Sequence, residues 1–358
     1  MELSYASLLL SRQFSLRKLD LKVPRGLKSA KEMDSIRLAI FTVLVFGCST
    51  GAWAQGLQKI VAAYSSLSGT QAVLWLAKEA GSFQRHGLDV DLIYINTGTK
   101  MVQALVGGDI KIGQVGGAAP LGARLRGAEV KIVAVAYNTL ALSLMTQTDI
   151  RSMTDLKGKR LGISRFGSNT DFGMRYLLKK YNISDREVTF LQFGEAQAIF
   201  AALQSGTVQA GILSYPTTAA AIKKGFKELV DFSDVGLEFP NSNVVVTDRF
   251  LQTQPDVVRR FLMGYAEGIH RYKTDGVFTR RVMGKYLRVQ DQTVLDETYQ
   301  LFAPRIPRIP YPTVGGFRLA LESLSDEPRA RTARPEEFYD DAILHSLERE
   351  GFFQQLYR

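Results

Sequence analysis

A chain of 358 residues is long enough for two domains with full cores, and at 46% apolar and 22% charged it has the composition of a globular protein, not a disordered or fibrous one. The formal charge of +10 shrinks on inspection, because residues 1–54 hold eight basic and four acidic residues and leave +6 for the rest. Those remaining charges are scattered, without the basic cluster and aromatic platforms of a nucleic-acid surface, so nucleic acid is excluded as a partner, although a mild positive field favours anions.

The first segment in chain order reads as a leader. Residues 38–47 form an apolar run too short to span a bilayer, preceded by Arg37 and followed by the small-x-small site Ala52-Trp53-Ala54. Counted from Met33 to Ala54 this is a secretory signal of 22 residues, with residues 1–32 upstream of the true start. The mature chain is then expected to begin at Gln55, in the periplasm or another extracytoplasmic space, soluble after cleavage. Lipid anchoring is the alternative. Cys48, the only cysteine, closes Val45-Phe46-Gly47-Cys48, which resembles a lipoprotein processing site apart from the bulky Phe46. Either route leaves the body without thiol or disulfide chemistry.

Residues 60–64 read as a short buried strand and Ser65-Ser66-Leu67-Ser68-Gly69-Thr70 as the loop after it. Val73, Leu74, Leu76 and Ala77 then share a helix face. Residues 88–94 alternate as a strand, and a Gly98-Thr99 break precedes another helix. Strands alternating with helices at this spacing predict βαβ units and largely parallel sheets. The plan recurs about a hundred residues later. Residues 104–116 lie over 202–214, each a helix end, a Gly turn, a short buried strand and a small-residue loop. Residues 59–79 and 159–179 match more loosely, with Ser68 over Ser168 and Thr70 over Thr170. Two similar α/β lobes facing each other make a cleft.

Residues 142–146 and 242–247 read as the two crossings between lobes. On that reading residues 57–142 open lobe one, 143–246 form lobe two with its hinge crossings, and 247–358 return to lobe one. Thr253 and Pro255 open a helix in the return, with Val258, Phe261, Leu262, Tyr265, Ile269 and Tyr272 on one face. Residues 304–312 form a Pro-punctuated connector, and a last helix from about Pro335 carries Phe338, Leu344, Leu347 and Phe352.

Several motifs carry a family resemblance: Ala77-Lys78-Glu79-Ala80-Gly81-Ser82-Phe83 with His86-Gly87-Leu88-Asp89-Val90, then Asp155-Leu156-Lys157-Gly158-Lys159-Arg160-Leu161-Gly162, Ala202-Leu203-Gln204-Ser205-Gly206 and Glu350-Gly351-Phe352-Phe353. In this order and spacing, over residues 59–357, the chain resembles the substrate-binding proteins of ABC importers for nitrate, aliphatic sulfonates, taurine and thiamine-pyrimidine precursors, the NMT1-like group. The resemblance implies an α/β type II periplasmic binding-protein fold, with two βα lobes around a cleft joined by two hinge crossings. It also implies a monomer without cofactor that captures a small anionic or heterocyclic solute of the sulfonate, nitrate, carboxylate or pyrimidine class by lobe closure. The solute then passes to a membrane permease and its ATPase. A pyrimidine-precursor synthase of the same fold is the enzymatic alternative, and its Cys-rich motif is missing here; a ligand-sensing ectodomain is the third. His86, His270 and His345 are far apart in sequence, and no metal-spaced cluster, GxSxG elbow or phosphate-binding loop occurs, so an enzyme is not expected.

Ligands of parallel α/β sheets gather beyond the carboxyl ends of strands, where helix N-termini present free N–H groups and a partial positive charge. In lobe one that rule selects Ser66, Ser68, Gly69 and Thr70, then Gly117 and Ala118. In lobe two it selects Arg165, Ser168, Asn169 and Thr170, then Ser214 and Tyr215, with Asn243 near the second crossing. Each has a plainer reading. The hydroxyls of Ser68, Ser168, Thr70 and Thr170 also suit helix caps. Arg165 offers a bidentate clamp or pairs with solvent. Tyr215 walls the pocket or merely packs, and Asn243 reaches ligand or bonds a hinge backbone. Glu195, after Gly194, reads as solvated; inside the cleft it would favour a ligand bearing an amine.

Overall fold

The computed structural model describes residues 56–324 and 327–358, so the segment read as a leader, with Cys48 and its expected processing sites, lies outside the described residues. Beyond it, the short apolar runs between Gly and Ser turns become the strands of two separate sheets. The first contains β1 (Gln58–Tyr64), β2 (Leu88–Tyr94), β3 (Ile112–Val115) and β4 (Val130–Thr139). The second contains β5 (Ser143–Thr146), β6 (Arg160–Ile163), β7 (Thr189–Gln192), β8 (Ala210–Leu213) and β9 (Lys227–Asp231). The chain then re-enters the first sheet as β10 (Glu238–Thr247).

The sheets share one plan. Their strand orders are β2-β1-β3-β10-β4 and β7-β6-β8-β5-β9. In each, the first strand of a βαβ series pairs in parallel with the second and third, and one antiparallel strand is wedged beside the third. The repeat seen in the sequence is therefore a repeat of topology, with β3 and β8 the strands of its best-matched stretch. The wedged strands β5 and β10 are the segments read above as crossings. They are buried strands: residues 143–146 are buried throughout, and residues 243–245 pair with both β3 and β4. The passages between sheets come just before them, at residues 140–142 and 232–237. A valine run is extended in either role, and only pairing with distant strands makes it the inside of a sheet.

Helices cover both sheets: α1 (Ala72–Glu79), α2 (Ser82–Arg85), α3 (Gly98–Gly107) and α4 (Ala118–Leu125) on the first, and α5 (Asn169–Lys180), α6 (Ala196–Gln204) and α7 (Thr217–Lys223) on the second. The return adds α8 (Asp248–Thr253), α9 (Pro255–Thr274), α10 (Gly276–Leu287), α11 (Gln292–Phe302), α12 (Val314–Ser323), α13 (Ala342–Arg349) and α14 (Phe352–Leu356). The apolar face read for residues 258–272 is fully buried on α9, which Pro255 opens. It packs against α1 so closely that a Cβ on Gly268 would lie 2.5 Å from the Val73 carbonyl oxygen. The final helix differs from expectation. Pro335–Glu337 is a lone 3-10 turn, α13 starts at Ala342, whose N–H the Asp340 carboxylate accepts, and Gly351 at φ 80° separates α13 from α14.

Candidate functional site

A cavity of about 90 Å³ lies between the two sheets, at the carboxyl ends of their parallel strands. The loop after β1 contributes Ser65, Ser66, Ser68, Thr70 and Gln71; the end of β2 contributes Tyr94 and Thr97. From the second sheet come Ser164, Ser168, Asn169 and Thr170 after β6, Glu195 and Gln197 after β7, and Ser214 after β8. Asn241 of β10 and the strap residues Ala141 and Leu142 close it. The lining is rich in hydroxyls, and among the described residues it contains no Lys, Arg or His.

The lobe-two hydroxyls form a triangle: Ser164 Oγ lies 2.8 Å from Thr170 Oγ1 and 2.9 Å from Ser168 Oγ, and Ser168 Oγ lies 2.9 Å from Thr170 Oγ1. Ser168 also donates to the Arg165 carbonyl and accepts the Asp171 N–H, so it caps α5 as it lines the cavity. Below it, burial pushes the Asp171 carboxyl up, more than the Gly167 N–H and the Arg175 guanidinium beside it pull it down. Ser68, the counterpart in lobe one, precedes a single 3-10 turn and caps nothing; its oxygen accepts from Thr70 Oγ1 at 3.3 Å.

Thr97 marks a strained point. It is buried, lines the cavity and occupies the N-cap position of α3 at φ 76°, a region that a β-branched residue rarely enters. Its N–H is held by the Ser65 carbonyl, so the turn after β2 is tied to the loop after β1. Tyr94, the last residue of β2, stacks on Tyr64 and donates its hydroxyl to Glu195 Oε2 at 3.0 Å, across the cleft. Burial first, and then the Glu195 charge and hydrogen bond, push the Tyr94 phenol well above its ordinary value. Beneath them Ser242 donates to the Thr70 carbonyl and accepts from Gln114, and more weakly from Gln71. That leaves buried Gln71 Oε1 without a donor.

Asn169, the first residue of α5, bridges the lobes. Its Oδ1 accepts the Ala118 N–H at 3.1 Å, and its Nδ2 donates to Asn241 Oδ1 at 3.1 Å and to the Asn241 carbonyl at 3.3 Å. Gly116 makes the space, since a Cβ there would fall 2.4 Å from Asn169 Cγ. On the other side of the cleft the Gly69 N–H donates to the Tyr215 carbonyl, and Lys223 pairs with Asp291 at 3.2 Å.

Of the residues selected from sequence, Ser66, Ser68, Thr70, Ser168, Asn169, Thr170 and Ser214 come together in the lining. The others do not line it. Gly69 is pressed against Phe302, and Gly117 donates to the Pro240 carbonyl in a spot where a Cβ would meet that oxygen at 2.4 Å. Ala118 spends its N–H on Asn169. Arg165 is exposed and enters the network only through its carbonyl. Tyr215 lies in a second groove, its hydroxyl 3.5 Å from Glu297. Asn243 is fully buried and holds the Val115 and Pro240 carbonyls, fixing the irregular start of β10. Glu195, read from sequence as solvated unless it lay in the cleft, is in the lining, and Tyr94, Thr97 and Gln197, not selected from sequence, join it around the second strand of each lobe. The strand-end rule had been applied only to the first and third strands; applied to β2 and β7 it finds them. Among the described residues no group of three His, Cys, Asp or Glu side chains is placed to hold a metal.

Residues 70–275 match the model of the family described as NMT1/THI5 like. The taurine-binding periplasmic protein of Escherichia coli is 29% identical over 194 residues, covering 53% of this chain and 58% of that protein. The chain thus spans 58% of the length of the first curated relatives it matches. Among solved structures, a Bordetella bronchiseptica protein aligns with a TM-score of 0.74 at 18% identity, over 83% of this chain and 98% of the other. The alkanesulfonate-binding protein SsuA of Xanthomonas axonopodis aligns with a TM-score of 0.66 at 19% identity, over 77% of this chain and 94% of the other. With the two matching sheets, these likenesses show the type II periplasmic binding-protein fold.

Proposed function

Since this chain belongs to the NMT1/THI5-like family, we propose that it is the extracytoplasmic solute-binding component of an ABC importer, a monomer that shuts its lobes on a small solute and hands it to a membrane permease and its ATPase. The observation that carries the reading is the cavity itself: both lobes supply its lining, and side chains meet across it at Tyr94–Glu195 and Asn169–Asn241. A solute held there touches both lobes at once and favours the shut form by the contacts it makes only in that form. The names of the relatives support this, one being a taurine-binding and another an alkanesulfonate-binding protein. We assign the chain no reaction. Ser and Thr hydroxyls surround the cavity, but among the described residues no His, Lys or Cys lines it to activate one.

Trp75 makes a direct test practical. It is fully buried, packs edge-on to Tyr64, and Tyr64 stacks on cavity-lining Tyr94, so an event at Tyr94 reaches the indole through two rings. It is also the only tryptophan after residue 54. A panel of sulfonates, carboxylates, nitrate, amino acids and pyrimidines, read by Trp75 emission and thermal shift, should yield saturable binding with a smaller radius of gyration in solution scattering. A protein that binds none of them and releases no small molecule on denaturation would not be a receptor.

A further inference from the structure

We propose that the solute carries a protonated nitrogen held by Glu195 and acidic oxygens held by the hydroxyls and helix N-termini opposite, so that the site selects a small zwitterion over a bare anion. The proposal rests on the receptor reading above and narrows it to a charge pattern.

Glu195 is the only carboxylate in the lining, and among the described residues no cationic side chain lines the cavity beside it. Its hydrogen-bond partner is the Tyr94 hydroxyl, which occupies one of about four lone-pair positions that a carboxylate offers. A local role does not account for it. Glu195 occupies the N-cap of α6, yet its side chain makes no capping hydrogen bond. A second acceptor among the lining residues, buried Gln71 Oε1, has no donor at all.

A bare anion in so small a cavity would sit within a few ångströms of the Glu195 carboxylate with no cation to offset it. At about 5 Å and an effective dielectric of about 20, that repulsion weakens binding by roughly three-hundredfold. A lone cation fares no better, because the N-termini of α3, α5 and α6 all open at this cavity and present partial positive charge. A solute with both charges meets both demands: its nitrogen replaces water on Glu195, and its oxygens take the first-turn N–H groups and the Ser164 and Thr170 hydroxyls, Ser168 giving its own proton to the Arg165 carbonyl.

The test uses matched pairs that differ only in an amino group: β-alanine against propionate, 2-aminoethanesulfonate against ethanesulfonate, 2-aminoethylphosphonate against ethylphosphonate, with nitrate as the smallest anion. Calorimetry on the protein without its leader should give the amino member of a pair at least tenfold tighter binding. In Glu195→Gln, which keeps the shape and can still accept from Tyr94, that advantage should shrink by roughly tenfold to a hundredfold with the melting temperature unchanged. Equal or tighter binding of the amine-free members, or of nitrate, overturns the zwitterion while leaving a receptor for anions. An amino preference untouched in Glu195→Gln overturns the role of this carboxylate. Absence of saturable binding by either member of every pair and by the wider panel overturns the receptor reading and this proposal with it.

Discussion

Asn169→Ala separates the energy of lobe contact from the energy of solute contact. The side chain makes three hydrogen bonds, each to the opposite lobe: one from the Ala118 N–H and two to Asn241. When the lobes part, all these groups meet water, so the bonds count only toward the shut form. A neutral hydrogen bond is worth about 1 kcal/mol net, and the two to Asn241 share one amide group. A total near 2 kcal/mol follows, or roughly a thirtyfold change in the ratio of shut to open molecules. Two measurements bracket it. If the solute-free protein is mostly shut, the variant has a larger radius of gyration and an affinity reduced only by the shut fraction it loses, a few-fold at most. If it is mostly open, the radius stays and the affinity falls by roughly thirtyfold, because the solute must now close the lobes unaided. Gly116→Ala provides a second route, since its Cβ would collide with Asn169 Cγ and displace the amide without removing it. Should neither radius nor affinity move in either variant, the bridge carries no coupling and the reasoning fails.

Three further outcomes are expected. Ser168→Ala with Thr170→Ala removes two corners of the lobe-two triangle, and titration should show weaker solute binding while circular dichroism shows the fold intact, at a stability loss of about 1 kcal/mol from the α5 cap. Unchanged affinity would take that loop out of the site. Thr97→Gly should stabilise the protein against urea by about 1 kcal/mol as the backbone strain is relieved, and should weaken binding as the turn loosens; a destabilised variant would refute the strain. Burial opposes the ionisation of Glu267, but hydrogen bonds from His86 and Arg85 outweigh it and hold the carboxyl below its ordinary 4.5. A depressed value means stability present above pH 4.5 and lost as the pH falls through the folded value. Glu267→Gln should accordingly melt lower than the wild type at pH 7 and match it in strong acid, and a difference independent of pH would count against the pair.

The repeat made most of the architecture legible. Matching residues 104–116 with 202–214 amounted to matching β3 with β8, and those strands hold the same place in sheets of the same order. Strand ends then located the loops around Ser66–Thr70 and Ser168–Thr170, because a helix N-terminus and a short hydroxyl run are local signals. What stayed hidden was non-local. Whether residues 242–247 are strap or strand depends on pairing with β3 and β4, far away in sequence. Asn169 was chosen for its place at a helix start, but its partners Ala118 and Asn241 lie on two distant elements of the other lobe. Glu195 reads as an ordinary surface acid until Tyr94 is placed opposite it.

The position of the straps, just ahead of β5 and β10, also says how this topology would couple a solute to lobe motion. Because β5 and β10 are each wedged in antiparallel beside a third strand, each starts its pairing with that strand at the strand's carboxyl end, β10 after a first stretch paired with β4 alone. Ser143 pairs with Leu213, next to Ser214, and Asn243 pairs with Val115, next to Gly116. The chain therefore enters both sheets at their cavity end, and the straps that precede these strands open there as well. Ala141 and Leu142, two residues of the first strap, are themselves part of the cavity wall. A hinge at this position moves the lining whenever it turns, and a solute against Leu142 resists the turn directly. Had the antiparallel strands run the other way, the straps would lie at the far ends of the sheets, and closure would reach the solute only through rigid-body rotation of each lobe.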